Sequence, residues 1–240
     1  MDLSIFSDHG AFMLRFFHIV GGVAWIGVLW YINFIQGPFV AEVDATVQTA
    51  AKQKLFPRVM WYFRYGALLT FTTGLLLIIL KGFGPGKIAT MGTPVWNLWF
   101  AKIYPGFIFA TIMFLNVWFV IWPRQKKIIA AANGAKIDGI PAMARRGFIA
   151  SRTNTLLSIP MLFFMAAANN LTLNSANGFT VWIIAITVVT LLVEINALFA
   201  NNDPAVKPAT MKPLEKVSGV IHMGFVFTLL LYLGVEFVLK

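Results

Sequence analysis

The sequence predicts an all-α integral membrane protein, built as a bundle of about six transmembrane helices. Of the 240 residues, 59% are hydrophobic and only 12% are charged, whereas soluble domains carry roughly 25% charged residues. Apolar runs recur along the whole chain, and each is long enough to cross a bilayer as a helix, which takes about 20 residues. The 23 Phe and 8 Trp are typical of a surface that meets lipid and its interfaces.

Six spans follow from these runs. No linker and no internal repeat divides the chain, so we expect residues 1–240 to form one transmembrane domain. Between the spans, glycine and proline indicate an irregular loop at 81–98, and residues 41–54 are expected to be partly helical. The predicted spans are 11–36, 60–80, 99–122, 149–168, 179–199 and 215–238.

The positive charge of the chain is concentrated in particular connections. Most of the 19 Lys and Arg lie in or beside residues 37–59, 123–148 and 200–214, whereas residues 169–178 have none. By the positive-inside rule this distribution places the basic connections in the cytoplasm and both termini outside. The net charge of +10 is thereby explained by membrane orientation, and we do not expect nucleic acid as a partner.

The first span contains polar residues that are costly to expose to lipid. On a helical period His18, Gly22, Trp25, Asn33 and Gln36 fall along one stripe. Because this stripe places a histidine and two amides within the hydrocarbon layer, it is expected to face the interior of the bundle.

Two histidines lie well inside predicted spans, and they are the candidate metal ligands. Neutral imidazole is a usual ligand of haem iron, so His18 and His222 predict a haem b within the bundle. Gly22, beside His18, would let a flat macrocycle approach the backbone. The alternative is a histidine hydrogen-bonded to a neighbouring helix. The two histidines lie at different depths, which argues against both binding one iron, and the absence of cysteine excludes covalent haem attachment within these residues.

A polar interior pocket is expected in the inner half of the bundle, where Arg64, Asn154 and Glu194 lie. Arg64 either faces an anionic substrate or haem propionate, or extends to the interface. Glu194 either carries protons or pairs with Arg64. The outer half offers a second set of side chains: His18, Met161, Met165 and Asn169.

Four runs of residues resemble the bacterial membrane-bound urate hydroxylase family, whose membrane part is known as the urate oxidase N-terminal domain. They are residues 18–27 (HIVGGVAWIG), 64–74 (RYGALLTFTTG), 116–127 (NVWFVIWPRQKK) and 150–165 (ASRTNTLLSIPMLFFM). A looser likeness, in the spacing of His18 and Trp25, joins the chain to the small haem-dependent protoporphyrinogen oxidase of bacteria.

The resemblance implies oxidation of urate, or of a similar small anion, in the bacterial inner membrane. The positive-inside rule places both termini on its periplasmic side. Electrons would pass to a cytochrome c. Family members with the fullest architecture carry a C-terminal cytochrome c domain. These residues include no cysteine, so a separate cytochrome c is expected. The family pattern also leads us to expect a histidine soon after the fourth span, where this chain has Asn169 and Asn170.

The leading interpretation is therefore a urate-hydroxylase-like oxidoreductase that holds haem b among its helices. The alternatives are a non-catalytic accessory subunit of a larger membrane complex and, third, a small carrier. The residues predicted to serve the oxidoreductase are His18 and His222 as ligands of the haem iron, Gly22, Trp25 and Arg152 around the cofactor, and Arg64, Asn154 and Glu194 in catalysis.

Overall fold

The computed structural model describes residues 3–84, 86–200, 203, 205–206 and 208–239. Six of its helices are long and apolar enough to cross a membrane, and the described residues contain no strand. The predicted all-α membrane class is thus confirmed. We number these helices α1 (His9–Glu42, helical from Leu3), α2 (Ala45–Phe83), α3 (Pro94–Ala132), α4 (Ile140–Asn170), α5 (Phe179–Leu198) and α6 (Val217–Val238).

Several helices extend well beyond the predicted spans. The 39 residues of α2 reach about 58 Å at 1.5 Å per residue, roughly twice the thickness of a hydrocarbon core. Residues 45–54 of the stretch 41–54, which was expected to be partly helical, form the first part of α2. Asp44 caps this helix, because its carboxylate accepts hydrogen bonds from two backbone N–H groups. Most of the predicted connection 123–148 is also helical. Apolar runs mark only the part of a helix that meets lipid, so they underestimate helix length.

The long helices contain four π-helical segments, and prolines account for three of them. Pro38, Pro57 and Pro123 each stand two residues after such a segment. Proline has no N–H to donate, and its ring crowds the carbonyl four residues earlier, so a wider turn lets the helix continue past it. The four segments are Ile32–Gln36, Ala51–Leu55, Ile79–Phe83 and Asn116–Ile121.

The centre of the bundle is α4, which packs against α1, α3, α5 and α6. In its most apolar membrane-length window 72% of the residues are buried, against 22–39% in the other five helices. Its buried residues include Ser151, Arg152, Asn154 and Ser158. A helix with so many polar side chains is stable in a bilayer only when other helices shield it from lipid.

Glycines bring α1 and α2 into close contact. A β-carbon placed on Gly66 of α2 would lie 2.9 Å from the backbone nitrogen of Trp25 and 3.2 Å from Cβ of Ala24. One placed on Gly21 of α1 would lie 2.9 Å from the backbone nitrogen of Thr70. Small residues permit this approach of two backbones, which is a main source of helix association in membranes.

The close contact predicts that Gly66→Leu is destabilising. The added side chain pushes α1 and α2 apart, and overpacking of this kind costs about 1–3 kcal/mol. Gly27→Leu is the matched control, because a β-carbon there meets nothing within 4 Å. We expect a lower thermal unfolding midpoint in detergent for Gly66→Leu only. Equal midpoints for the two variants would contradict the packing described here.

Candidate functional site

A cavity of about 380 Å³ lies among α1, α2, α3 and α4. It is formed by the first part of α1, the last parts of α2 and α4 and the first part of α3. It therefore occupies the end of the bundle away from the basic residues 124–127 and 145–146, and we call the two ends the cavity end and the basic end. The volume is in the range of about 300–1,000 Å³ that is usual for small-molecule and cofactor sites.

His18 lines this cavity, and one of its ring nitrogens is held by α2. Its Nδ1 lies 2.8 Å from the carbonyl oxygen of Thr70 and 3.4 Å from the hydroxyl of Thr73. A carbonyl oxygen only accepts, so Nδ1 carries the hydrogen and donates it. In the neutral ring, Nε2 then has the lone pair. Within the described residues Nε2 has no hydrogen-bond partner, so a lone pair is available for a metal or a ligand proton.

Gly74 makes this hydrogen bond possible. In a helix a carbonyl oxygen points toward the residue four positions later, so the Thr70 carbonyl is directed at Gly74. A β-carbon on Gly74 would lie 2.7 Å from Cε1 of His18 and 3.1 Å from its Nδ1. The absence of a side chain at this position leaves room for the imidazole. The run from Thr70 to Gly74 in α2 is thus the second half of the histidine site.

The wall of the cavity is mainly apolar and aromatic. Trp25 lies at its deep side, with 0% of the residue exposed and without a hydrogen-bond partner for its indole N–H. Phe107 and Trp99 contribute rings from α3. Met161 and Met165 bring two thioethers from α4. Thioether sulfur is a soft ligand and also packs well against flat rings.

The rim of the cavity carries positive charge. Arg15 of α1 and Lys81 of α2 both line it, and both are exposed, as is Asn169 at the end of α4. Two cations beside a largely apolar cavity favour a ligand that has one anionic edge and a flat, apolar body. The outer group expected from the sequence, which comprises His18, Met161, Met165 and Asn169, lines this one cavity.

The structure does not bring the two candidate histidines together. His222 of α6 is exposed and does not line the cavity. Residues Val220, Gly224 and Thr228 form the buried face of α6 instead. Among the predicted cofactor residues, Trp25 lines the cavity. Gly22 does not line it; a β-carbon placed on Gly22 would lie 3.9 Å from Cγ2 of Thr70.

Two of the three predicted catalytic residues meet in a buried hydrogen-bond network. The side-chain amide of Asn116 donates to Oδ1 of Asn154 and to Oε2 of Glu194, each at 3.0 Å. Asn154 in turn donates to the backbone carbonyl of Met113 at 2.9 Å. This network connects α3, α4 and α5 and does not line the cavity. Asn116 stands at the start of the π-helical segment of α3.

The third predicted catalytic residue, Arg64, is held by aromatic rings. Its guanidinium carbon lies 3.6 Å from the ring centre of Trp122 and 5.8 Å from that of Trp118. Its Nε donates to the Met60 carbonyl at 3.3 Å. Glu194, one expected partner of Arg64, is bonded to Asn116 instead. Cation–π contact of this kind is worth about 0.5–2 kcal/mol and explains a half-buried arginine near the interface.

The remaining predicted cofactor residue, Arg152, lies toward the basic end. It is 5% exposed, and its guanidinium carbon is 5.0 Å from the ring centre of Phe148. It does not line the cavity. The described residues contain no group of three His, Asp or Glu side chains that could hold a bare metal ion.

Several residues of the cavity were not expected from the sequence. Arg15 and Lys81 line the cavity, although neither was among the predicted site residues. Thr70 and Gly74 belonged to a run of interest only through the family resemblance. One sequence signal for this site exists: a glycine that lies four residues after a carbonyl group on one helix can make room for a histidine from another helix. Such a pair is recognised only when the register between the two helices is known.

Together, the six spanning helices and the cavity among four of them define a multi-pass membrane protein with a cavity inside its bundle. A family model for the urate oxidase N-terminal domain matches residues 93–228, which is more than half of the chain. The chain belongs to the urate oxidase N-terminal family. The match covers α3, α4, α5 and part of α6, so it includes only part of the cavity. Searches of curated proteins and of solved structures gave no match.

The buried amide network predicts an unusual response to charge. Asn116→Asp replaces a donor by a carboxylate that faces Glu194 and Asn154, and we expect a loss of about 1–3 kcal/mol of stability. Adding Glu194→Gln removes the like charge and supplies an N–H donor, so the double variant should be more stable than Asn116→Asp alone. Thermal unfolding of both proteins in detergent measures this. A further loss of stability on adding Glu194→Gln would contradict the network.

Proposed function

We propose that this protein is a haem-dependent membrane oxidoreductase of the urate hydroxylase kind, in which the cavity would hold haem b and His18 would bind its iron. The single observation that carries the proposal is the hydrogen bond from Nδ1 of His18 to the Thr70 carbonyl. Ligating histidines usually donate their second ring N–H in this way, which fixes the tautomer and directs the ring at the metal.

The residues around His18 suit this cofactor. Two thioethers, from Met161 and Met165, line the same cavity and are a candidate source of a second ligand. The rings of Phe107 and Trp99 offer apolar surface to a flat macrocycle. Arg15 and Lys81 at the rim are suited to the carboxylates of propionate groups. When bound, haem supplies one-electron transfer.

Family membership supports urate as the substrate class. Urate is a small, flat anion near neutral pH, and the cationic rim would attract it to the cavity end. His222 is not needed in this proposal. Roles for Arg64, Asn154 and Glu194 in catalysis remain predictions, because none of the three lines the cavity.

The proposed electron acceptor is a c-type cytochrome, as the family resemblance implies. Its haem would be attached outside these residues, because covalent attachment needs cysteine and the sequence contains none. By the positive-inside rule the basic end lies in the cytoplasm of a bacterium and the cavity end faces the periplasm. Electrons would then leave on the side where a soluble cytochrome c is found.

The proposal predicts a b-type absorption spectrum that depends on one histidine. The chain is expressed with a haem supply and purified in mild detergent, and oxidised and dithionite-reduced spectra are recorded. We expect a Soret band in the wild type that is lost or strongly shifted in His18→Ala. His222→Ala is the matched control, and its spectrum should equal that of the wild type.

Two outcomes would contradict the haem proposal. A colourless wild-type protein would remove the haem and favour the accessory subunit. A spectrum that disappears in His222→Ala and persists in His18→Ala would place the cofactor elsewhere. Thermal unfolding of each variant, measured in parallel, separates loss of haem from loss of fold.

The cationic rim predicts salt-dependent urate oxidation. The double variant Arg15→Gln/Lys81→Gln removes the attraction between rim and substrate, so we expect kcat/KM to fall about tenfold at low salt and the deficit to shrink as ionic strength rises. Reduction of added cytochrome c by urate is the assay. Lys87→Gln is the control, because Lys87 is exposed in the α2–α3 connection and does not line the cavity. Equal kcat/KM in both variants would contradict an electrostatic role of the rim.

A further inference from the structure

A second site is formed near the basic end by two buried arginines that share one carboxylate. Arg145 binds Glu215 through both ends of its fork, with Nη1 to Oε2 at 3.0 Å and Nη2 to Oε1 at 2.5 Å. Arg152, two turns further along α4, is also attracted by Glu215. Both guanidinium groups lie against the ring of Phe148, at 5.6 Å and 5.0 Å from its centre.

Three N–H groups of these arginines have no hydrogen-bond partner. They are Nε and Nη1 of Arg152 and Nε of Arg145, and each is shielded from solvent. The two residues are only 5% and 7% exposed. A buried N–H of a charged group that lacks an acceptor has lost its hydrogen bond to water and gained none in exchange, which is destabilising. Arginines so placed require an acceptor that the described residues do not supply.

The local balance of charge leads to the same requirement. The neighbouring Arg146 donates to the carbonyl of Ala197 and is attracted by Glu194. Glu194 is bonded to Asn116, so it is engaged on the other side of α4. Three arginines of α4 are therefore served by two carboxylates. An excess positive charge remains beside Phe148, and a buried charge without a counter-charge is strongly destabilising.

We infer that Arg145 and Arg152 form a binding site for a phosphate group, supplied by the headgroup of an anionic lipid or by free phosphate. The planar fork of arginine matches phosphate oxygens, and a single phosphate accepts several N–H donors at once. The cluster lies close to the protein surface, because the side chain of Glu215 is 18% exposed. It belongs to the end of the bundle that carries most of the basic residues, where anionic headgroups accumulate.

The test uses the full chain in an uncharged detergent. Its thermal unfolding midpoint is measured with phosphatidylglycerol, with phosphatidylcholine, and with inorganic phosphate against chloride at equal ionic strength. Native mass spectrometry counts the retained lipids. The variants are Arg152→Gln, Arg152→Lys and the control Lys126→Gln, an exposed lysine of the same end.

We expect the midpoint of the wild type to rise with phosphatidylglycerol or with phosphate. The apparent affinity should fall about tenfold or more in Arg152→Gln, less in Arg152→Lys, which keeps the charge but loses the fork, and not in Lys126→Gln. A rise with phosphatidylglycerol alone and one retained lipid identifies a headgroup. A rise with inorganic phosphate identifies the free anion.

The inference fails if neither probe raises the wild-type midpoint above its neutral control, or if Lys126→Gln weakens the effect as much as Arg152→Gln does. Should Arg152→Gln not fold, the wild type and Arg152→Lys decide the matter. The haem spectrum is a separate measurement on the other end of the bundle, so the two proposals succeed or fail independently.

Discussion

The structure depends on the shielding of one polar helix from lipid. Inside a bilayer no water satisfies a polar side chain, so the polar groups of α4 need partners in its own backbone or on another helix. Ser158 accepts from the indole of Trp30, Ser151 accepts from Asn33, and Asn154 contacts Asn116. These bonds fix how α1 and α3 are rotated about their own axes, and the close contact between α1 and α2 then positions α2.

The two ends of α4 differ in which hydrogen-bond and charge partners their side chains need. In the middle of the helix Asn154, Thr155 and Ser158 have hydrogen-bond partners within the protein. Toward the cavity end α4 presents Met161 and Met165, which need no partner, and the helices separate enough to leave the cavity. Toward the basic end it carries three arginines for two carboxylates. The two ends are thus suited to ligands of different chemistry.

Much of this arrangement could be predicted from the sequence, because hydropathy alone reveals six spans and places His18, Met161 and Met165 at one level. The rotation of each helix could not be predicted so well. Most positions of α6 are apolar. Hydropathy therefore does not show whether the helix buries the face that carries His222 or the face that carries Val220 and Gly224, which is the buried one. The roles of charged residues were also hard to predict. Arg145 belongs to the basic connection 123–148, which the sequence linked only to membrane orientation, yet it forms a buried ion pair with Glu215.

The hydrogen bond between His18 and the Thr70 carbonyl bears on whether His18 has a structural or a functional role. A histidine that only joins two helices gains most when both ring nitrogens are bonded or when the free one reaches water. Here α2 holds Nδ1, and the described residues leave Nε2 without a partner in the wall of a mainly apolar cavity. The imidazole fits in this position only because Gly74 has no side chain. The free lone pair on Nε2 is therefore the feature that supports the proposed role of His18 as a ligand of haem iron.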